Sequence, residues 1–142
     1  MTFEIHPQLI ADCHHLGSLP VCHVLLHKNA ILPWFILVPE VGDEDLLDVD
    51  PETRNQIMQE AAWISAFIKK TMHCSKTNVA AIGNVVRQLH VHVVGRNPGD
   101  ACWPRPVWGN LNTIASYTTK DLAEIVHAMQ QGDAWGEQFA PC

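Results

Sequence analysis

Within Gln88-Leu89-His90-Val91-His92-Val93-Val94-Gly95-Arg96, hydrogen-bonding side chains alternate with aliphatic ones. An extended chain sends successive side chains to opposite faces. The spacing therefore predicts Gln88, His90 and His92 on one face and Leu89, Val91 and Val93 on the other. Two imidazoles and an amide on a strand this apolar point to a site, because an unpaired buried polar group costs about 1–3 kcal/mol. Imidazole is the side chain best suited to attack phosphorus, move a proton or bind a metal near neutral pH. From spacing alone three readings stand: a catalytic pair, two metal ligands with a distant third, or a satisfied polar face without chemistry.

The elements that must hold this strand can be read from local pattern. Pro7 to His14 predicts a short opening helix, and Gly17 to Pro20 a turn. Val21 to Leu26 and Trp34 to Val38 read as two strands of a hairpin. Asp50-Pro51-Glu52 is a helix start, with Asp as N-cap, Pro at the first helical position and Glu in the first turn. Ile57, Ala61, Ile64 and Ile68 then recur at spacings of three and four, the pattern of a buried stripe on a helix reaching Met72-His73. Asn78 to Ile82 predicts a third strand, Gly83-Asn84 a turn, and Gln88 to Val94 the polar-faced strand. Thr118, with Asp121 three residues on, opens a last helix through Met129. These elements make an α+β fold with a mostly antiparallel sheet of about five strands, one long helix and shorter ones.

Composition narrows the class. The 142 residues fit one domain, and 47% apolar content supplies a core. No apolar run reaches the roughly 20 residues of a membrane-spanning helix. The first residues lack the basic and apolar regions of a secretory signal. A net charge of −6 argues against non-specific nucleic-acid binding. Cys13, Cys22, Cys74, Cys102 and Cys142 are odd in number and form no C-x-x-C pair, which fits free thiols in a reducing, cytoplasmic setting.

The segment Gly83-Asn84-Val85-Val86-Arg87-Gln88-Leu89-His90-Val91-His92-Val93-Val94 resembles the signature of the histidine triad (HIT) family, a glycine turn followed by His-x-His-x-His and two apolar residues. Pro33-Trp34-Phe35-Ile36-Leu37-Val38-Pro39 resembles that family's Pro-Gly-His-x-Leu-Val-x-Pro strand. Asp48-Val49-Asp50-Pro51-Glu52 resembles the Asp-Leu-x-Pro-Glu that opens its long helix. The likeness runs in order over residues 20–96; residues 97–142 form a C-terminal extension without a usable match.

The resemblance implies a hydrolase that attacks the α-phosphate of a dinucleoside polyphosphate or nucleoside phosphoramidate. His90 matches the nucleophile that forms a nucleotidyl-histidine intermediate. His92 matches the histidine that binds a non-bridging phosphate oxygen. Gln88 stands where the first triad histidine is expected and would position without carrying a proton. Gly83 and Asn84 would meet the phosphate, and Asn29 stands near the place of a ribose contact. Val85 replaces a hydroxyl residue and Trp34 a histidine, so the family's structural zinc site is expected to be missing, and the chemistry needs no metal or other cofactor. The implied partners are a purine nucleotide and a second copy of the chain, joined through the long helix and a sheet edge, with no nucleic acid or membrane. The alternative is a purine-nucleotide-binding module with weak or no turnover. Arg96 is a candidate for offsetting phosphate charge, and Trp103 and Trp108 for covering a base or a partner subunit.

Overall fold

The computed structural model describes residues 2–132 and 134–142. A six-residue helix α1 (Pro7–Asp12) leads directly into strand β1 (Cys13–Ser18). Strands β2 (Cys22–His27) and β3 (Trp34–Pro39) follow as a hairpin. The long helix α2 (Pro51–Thr71) then leads to β4 (Lys76–Ala80) and β5 (Val91–Arg96). Helix α3 (Thr119–Gln130) and a two-residue strand β6 (Ala140–Pro141) complete the chain. The strands form one antiparallel sheet in the order β4-β5-β3-β2-β1-β6.

Helix α2 begins where its capping residues require. Asp50 accepts a 3.0 Å hydrogen bond from the Thr53 N–H, and Pro51 has no N–H to leave unsatisfied. Lys69 and Lys70 lie in the last turn, favourable for the helix dipole. The expected stripe of Ile57, Ala61, Ile64 and Ile68 is buried, joined by Phe67. It packs on the sheet face carrying Val24, Leu26, Phe35, Leu37, Val91 and Val93. The opposite face, with Leu25, Ile36, Val38 and Val94, is covered by Leu9 of α1 and by Cys102 and Val107 of the C-terminal segment. The sheet is therefore sandwiched, and all six residues of β5 are buried. Helix α3 starts at the expected capping box of Thr118 and Asp121 and sets Met129 into the α2 side of the core.

Several expectations need correction. The opening helix stops at Asp12, and Cys13–Ser18 is a strand, because β2 offers it a hydrogen-bonding edge that local pattern does not reveal. A bulge between His15 and Gly17 carries this strand into the first two residues of the expected turn, and the chain reverses over residues 19–21. Gly17 also faces the Ala140 carbonyl so closely that a Cβ would not fit, which admits β6 as a sixth strand. The polar-faced strand begins at Val91, not Gln88. Pairing with β3 ends at Leu37 opposite Val91, and pairing with β4 ends at Ala80 opposite His92, so residues 88–90 lie outside the ladder. The strand expected at Asn78–Ile82 is shifted to Lys76–Ala80.

One buried charge ties helix to sheet. Glu60 of α2 is 0% exposed. Its carboxylate accepts hydrogen bonds from the backbone N–H groups of Val21 and Cys22, the latter at 2.9 Å, and from Gln56 Nε2 at 2.8 Å. Replacing one carboxylate oxygen by an NH₂ group sets donor against donor. Glu60→Gln is therefore expected to lower stability by about 1–3 kcal/mol, read from the midpoint of urea unfolding. An unchanged midpoint would show that the carboxylate does not hold helix and sheet together.

Candidate active site

His90 immediately precedes β5 and His92 lies within it, on the sheet face opposite α2. Their rings meet edge to face with centroids 4.9 Å apart. They are 7% and 6% exposed, and both line a cavity of about 420 Å³. Gln8, Leu9 and Asp12 of α1 form one wall of it, and Ile82 to Val86 form another. His27, Trp34 and Trp108 close the rest. Gly83 adopts φ +66°, a conformation glycine takes without steric cost, and this turns the loop back over the histidines. The lining residues include no lysine or arginine. An anion there would be held by N–H groups rather than by a fixed cation.

Hydrogen-bond partners fix the tautomer of each ring. His90 Nδ1 lies 2.7 Å from the Gln88 carbonyl oxygen, which only accepts. Nδ1 therefore carries the proton, and the Nε2 lone pair is free. His92 Nδ1 accepts at 3.0 Å from the Trp34 indole N–H, which only donates. Its proton therefore sits on Nε2. His27 Nδ1 accepts from the Asn29 backbone N–H at 3.1 Å, so His27 too presents an Nε2–H. The cavity thus combines one imidazole nitrogen with a free lone pair and two imidazole N–H donors. Burial, reinforced by His90 and His27 nearby, pushes the His92 pKa down to about 3. Burial also lowers the pKa of His27, partly opposed by Asp12.

Aromatic packing immobilises the donors. His27 and Trp34 stack with centroids 4.2 Å apart, and Trp108 meets both Trp34 and His92 edge-on. Of the residues singled out in the sequence, His90, His92, Gly83 and Asn84 are brought together around this cavity. Gln88 is not among its lining residues. Its carboxamide turns to the N-terminal segment, accepting from His6 N–H and donating to the Glu4 carbonyl, both at 2.8 Å. Asn29 ties the β2–β3 connection to the C-terminal segment. Its side chain donates to the Thr113 carbonyl and accepts from the N–H groups of Ile31 and Ala115. Arg96 is 1% exposed and does not reach the cavity; Asp100 and Asn78 occupy its guanidinium. Trp103 packs on Arg96, and only Trp108 of the two candidate tryptophans lines the cavity.

Sequence reasoning passed over His27, Gln8 and Asp12. His27 was legible in principle, since it lies two positions from Leu25 on the same sheet face. Gln8 and Asp12 are a helical i, i+4 pair, hydrogen-bonded at 3.0 Å, whose placement depends on where α1 docks. Among the described residues no three His, Cys, Asp or Glu side chains are grouped to hold a metal ion. No helix there is long and apolar enough to cross a membrane. A larger cleft, about 680 Å³, lies between the end of α2 and α3 but contains no imidazole or thiol.

Comparison with known proteins identifies the family. The HIT domain family matches residues 9–99. A histidine triad protein from Marinobacter aquaeolei VT8 is 37% identical, with a TM-score of 0.86 over 97% of this chain and 98% of that one. One from Bradyrhizobium japonicum is also 37% identical, with a TM-score of 0.83 over 90% and 96%. One from Sinorhizobium meliloti 1021 is 32% identical, with a TM-score of 0.85 over 92% and 96%. No curated protein matches the chain. Proteins with this domain are generally nucleotide hydrolases or transferases. With its domain match and its full-length structural relatives, this chain belongs to the HIT family.

Proposed function

We propose that this protein is a cytoplasmic, homodimeric hydrolase of nucleotide conjugates, attacking the α-phosphate of a dinucleoside polyphosphate or nucleoside phosphoramidate. The observation that carries this reading is the opposed tautomers of His90 and His92. His90 Nε2 presents a lone pair to phosphorus, while its Nδ1–H shares the developing positive charge with the Gln88 carbonyl. As the nitrogen–phosphorus bond forms, the bond from phosphorus to the leaving group breaks. His92 Nε2–H donates to a non-bridging oxygen whose negative charge grows in the transition state. Water then attacks the nucleotidyl-His90, releasing the nucleotide and restoring the neutral imidazole. Gly83 and Asn84 bound the same space and supply polar groups beside the phosphate. The aromatic surfaces of Trp34 and Trp108 suit a purine ring.

Protonation favours one class of substrate. The N–H groups of His27 and His92 belong to neutral rings, so they are hydrogen-bond donors rather than acids. Gln88 faces elsewhere. A nucleotide leaves as a stable anion, whereas an amine must gain a proton to leave. The cavity is therefore better matched to the phosphorus anhydride. The same scarcity of proton donors favours the second reading, a purine-nucleotide-binding module with little turnover.

Mixing the protein with a diadenosine polyphosphate and with an AMP amide, and assaying released AMP, separates these readings. The expected result is release from both, faster from the anhydride. No product from either, with AMP still bound, would establish the binding module instead. His90→Ala is expected to abolish release while leaving AMP affinity within about a few-fold, because binding is spread over the loop and the aromatic walls. A variant retaining near-wild-type rate would remove His90 as nucleophile.

Trp34→Phe keeps the ring on His27 but removes the indole N–H that fixes His92. The expected loss in kcat is about 10- to 100-fold, as for groups that orient a functional histidine. An unchanged kcat would show that the indole does not set the donor. The sign of the pH dependence follows from burial. A depressed pKa means that His92 is neutral at every pH above about 3, so its contribution is lost only as acid takes the pH through that value. The pH profile of kcat/KM should then show no acid limb that His92→Gln abolishes between about pH 5 and 8. Such a limb would show that His92 titrates in the working range.

A further inference from the structure

Gln88 makes three hydrogen bonds to two different parts of the site. Its carboxamide oxygen accepts from the His6 N–H and its NH₂ donates to the Glu4 carbonyl, each at 2.8 Å. Its own backbone carbonyl accepts from His90 Nδ1–H at 2.7 Å. The carboxamide therefore reads two backbone groups of one segment, as a neighbouring strand would. An imidazole could not do so, because its neutral ring carries its donor and acceptor on separate nitrogens pointing in different directions. A carboxylate has no donor for Glu4. The pairing calls for an amide.

The segment held in this way leads straight into the cavity wall. His6 Nδ1 caps α1 by accepting from Gln8 N–H at 3.0 Å. The His6 carbonyl accepts from the N–H groups of Leu9 and Ile10. Helix α1 is only six residues long, too short to persist by itself. A second anchor lies before the segment, where Phe3 stacks on His23 at 5.5 Å with the rings 4° apart. The segment is thus pinned at Phe3 on β2 and at Glu4–His6 on the residue leading into β5, and ends by presenting Gln8, Leu9 and Asp12 to His90 and His92.

We propose that Gln88 is a positioning residue whose carboxamide clamps Glu4–His6, setting the α1 wall of the cavity, while its carbonyl aligns His90. This rests on the proposed function for its effect on substrate, though not for the clamp itself. The clamp sets how closely the α1 wall approaches a ligand, so Gln88 governs substrate affinity more than the rate of bond cleavage.

The test compares the full-length protein with Gln88→Met and Gln88→Glu. Methionine keeps the length and removes both amide partners; glutamate keeps an acceptor for His6 but opposes the Glu4 carbonyl. Circular dichroism confirms that each variant folds. Hydrogen exchange at the His6, Leu9 and Ile10 amides is expected to be at least about tenfold faster in Gln88→Met. With diadenosine tetraphosphate as substrate, KM should rise about tenfold while kcat falls no more than about threefold. Unchanged exchange at His6 would overturn the clamp. Faster exchange at His6 with unchanged Leu9 and Ile10 would overturn its control of the α1 wall. A fall in kcat with KM unchanged would move Gln88 from affinity to chemistry. A wild-type chain that neither turns over nor binds AMP would sink the hydrolase reading alone, since exchange decides the clamp independently.

Discussion

Two hydrogen bonds of opposite sense govern the site. At His90, a backbone carbonyl takes the Nδ1 proton and leaves Nε2 bare. At His92, two residues further on, an indole N–H occupies Nδ1 and forces the proton to Nε2. Chemically identical side chains, with ring centroids 4.9 Å apart, thereby present opposite faces to the cavity, a bare nitrogen and an N–H, which the proposed reaction uses as nucleophile and hydrogen-bond donor. Neither role depends on a fixed charge. It depends on a carbonyl and an indole held in place, which is a packing problem before it is a chemical one.

The sandwiched sheet solves that problem. Strand β5 is buried on both faces, so the backbone that carries His92 has no freedom to shift. Trp34 stands opposite Val94 in the antiparallel register of β3 and β5, which brings its indole within reach of His92. Beneath the sheet the α2 stripe supplies the apolar contact, and Glu60 fixes where that helix meets β2. Above it the C-terminal segment contributes Trp108 to the cavity and Cys102 and Val107 to the core. The extension beyond residue 97 is therefore part of the wall of the site.

Much of this was legible in residue pattern. Strong local signals, such as the Asp50-Pro51-Glu52 start, the Thr118–Asp121 box and the Ile57-to-Ile68 stripe, place α2 and α3 where they lie. Alternation from Leu89 to Val94 assigns the correct face to each side chain, because both sheet faces are covered. It misleads at Gln88, where the ladder has ended and the carboxamide bonds instead to a segment more than eighty residues away in sequence. Strand β1 is hidden for a related reason. Cys13-His14-His15-Leu16 has no clear period, and only the edge of β2 makes it extended. Asn29 has the chemistry of a ligand contact, yet the Thr113–Ala115 backbone takes its side chain. In each case a non-local partner decides, and no spacing rule announces such partners.

The central claim concerns where two protons reside, and nitrogen-15 NMR of the histidine side chains observes this directly. Long-range proton–nitrogen correlation spectra near neutral pH should show His90 protonated at Nδ1 with a bare Nε2, and His92 protonated at Nε2 with a bare Nδ1. Spectra in which both rings share one tautomer, or in which His92 is doubly protonated, would contradict the account.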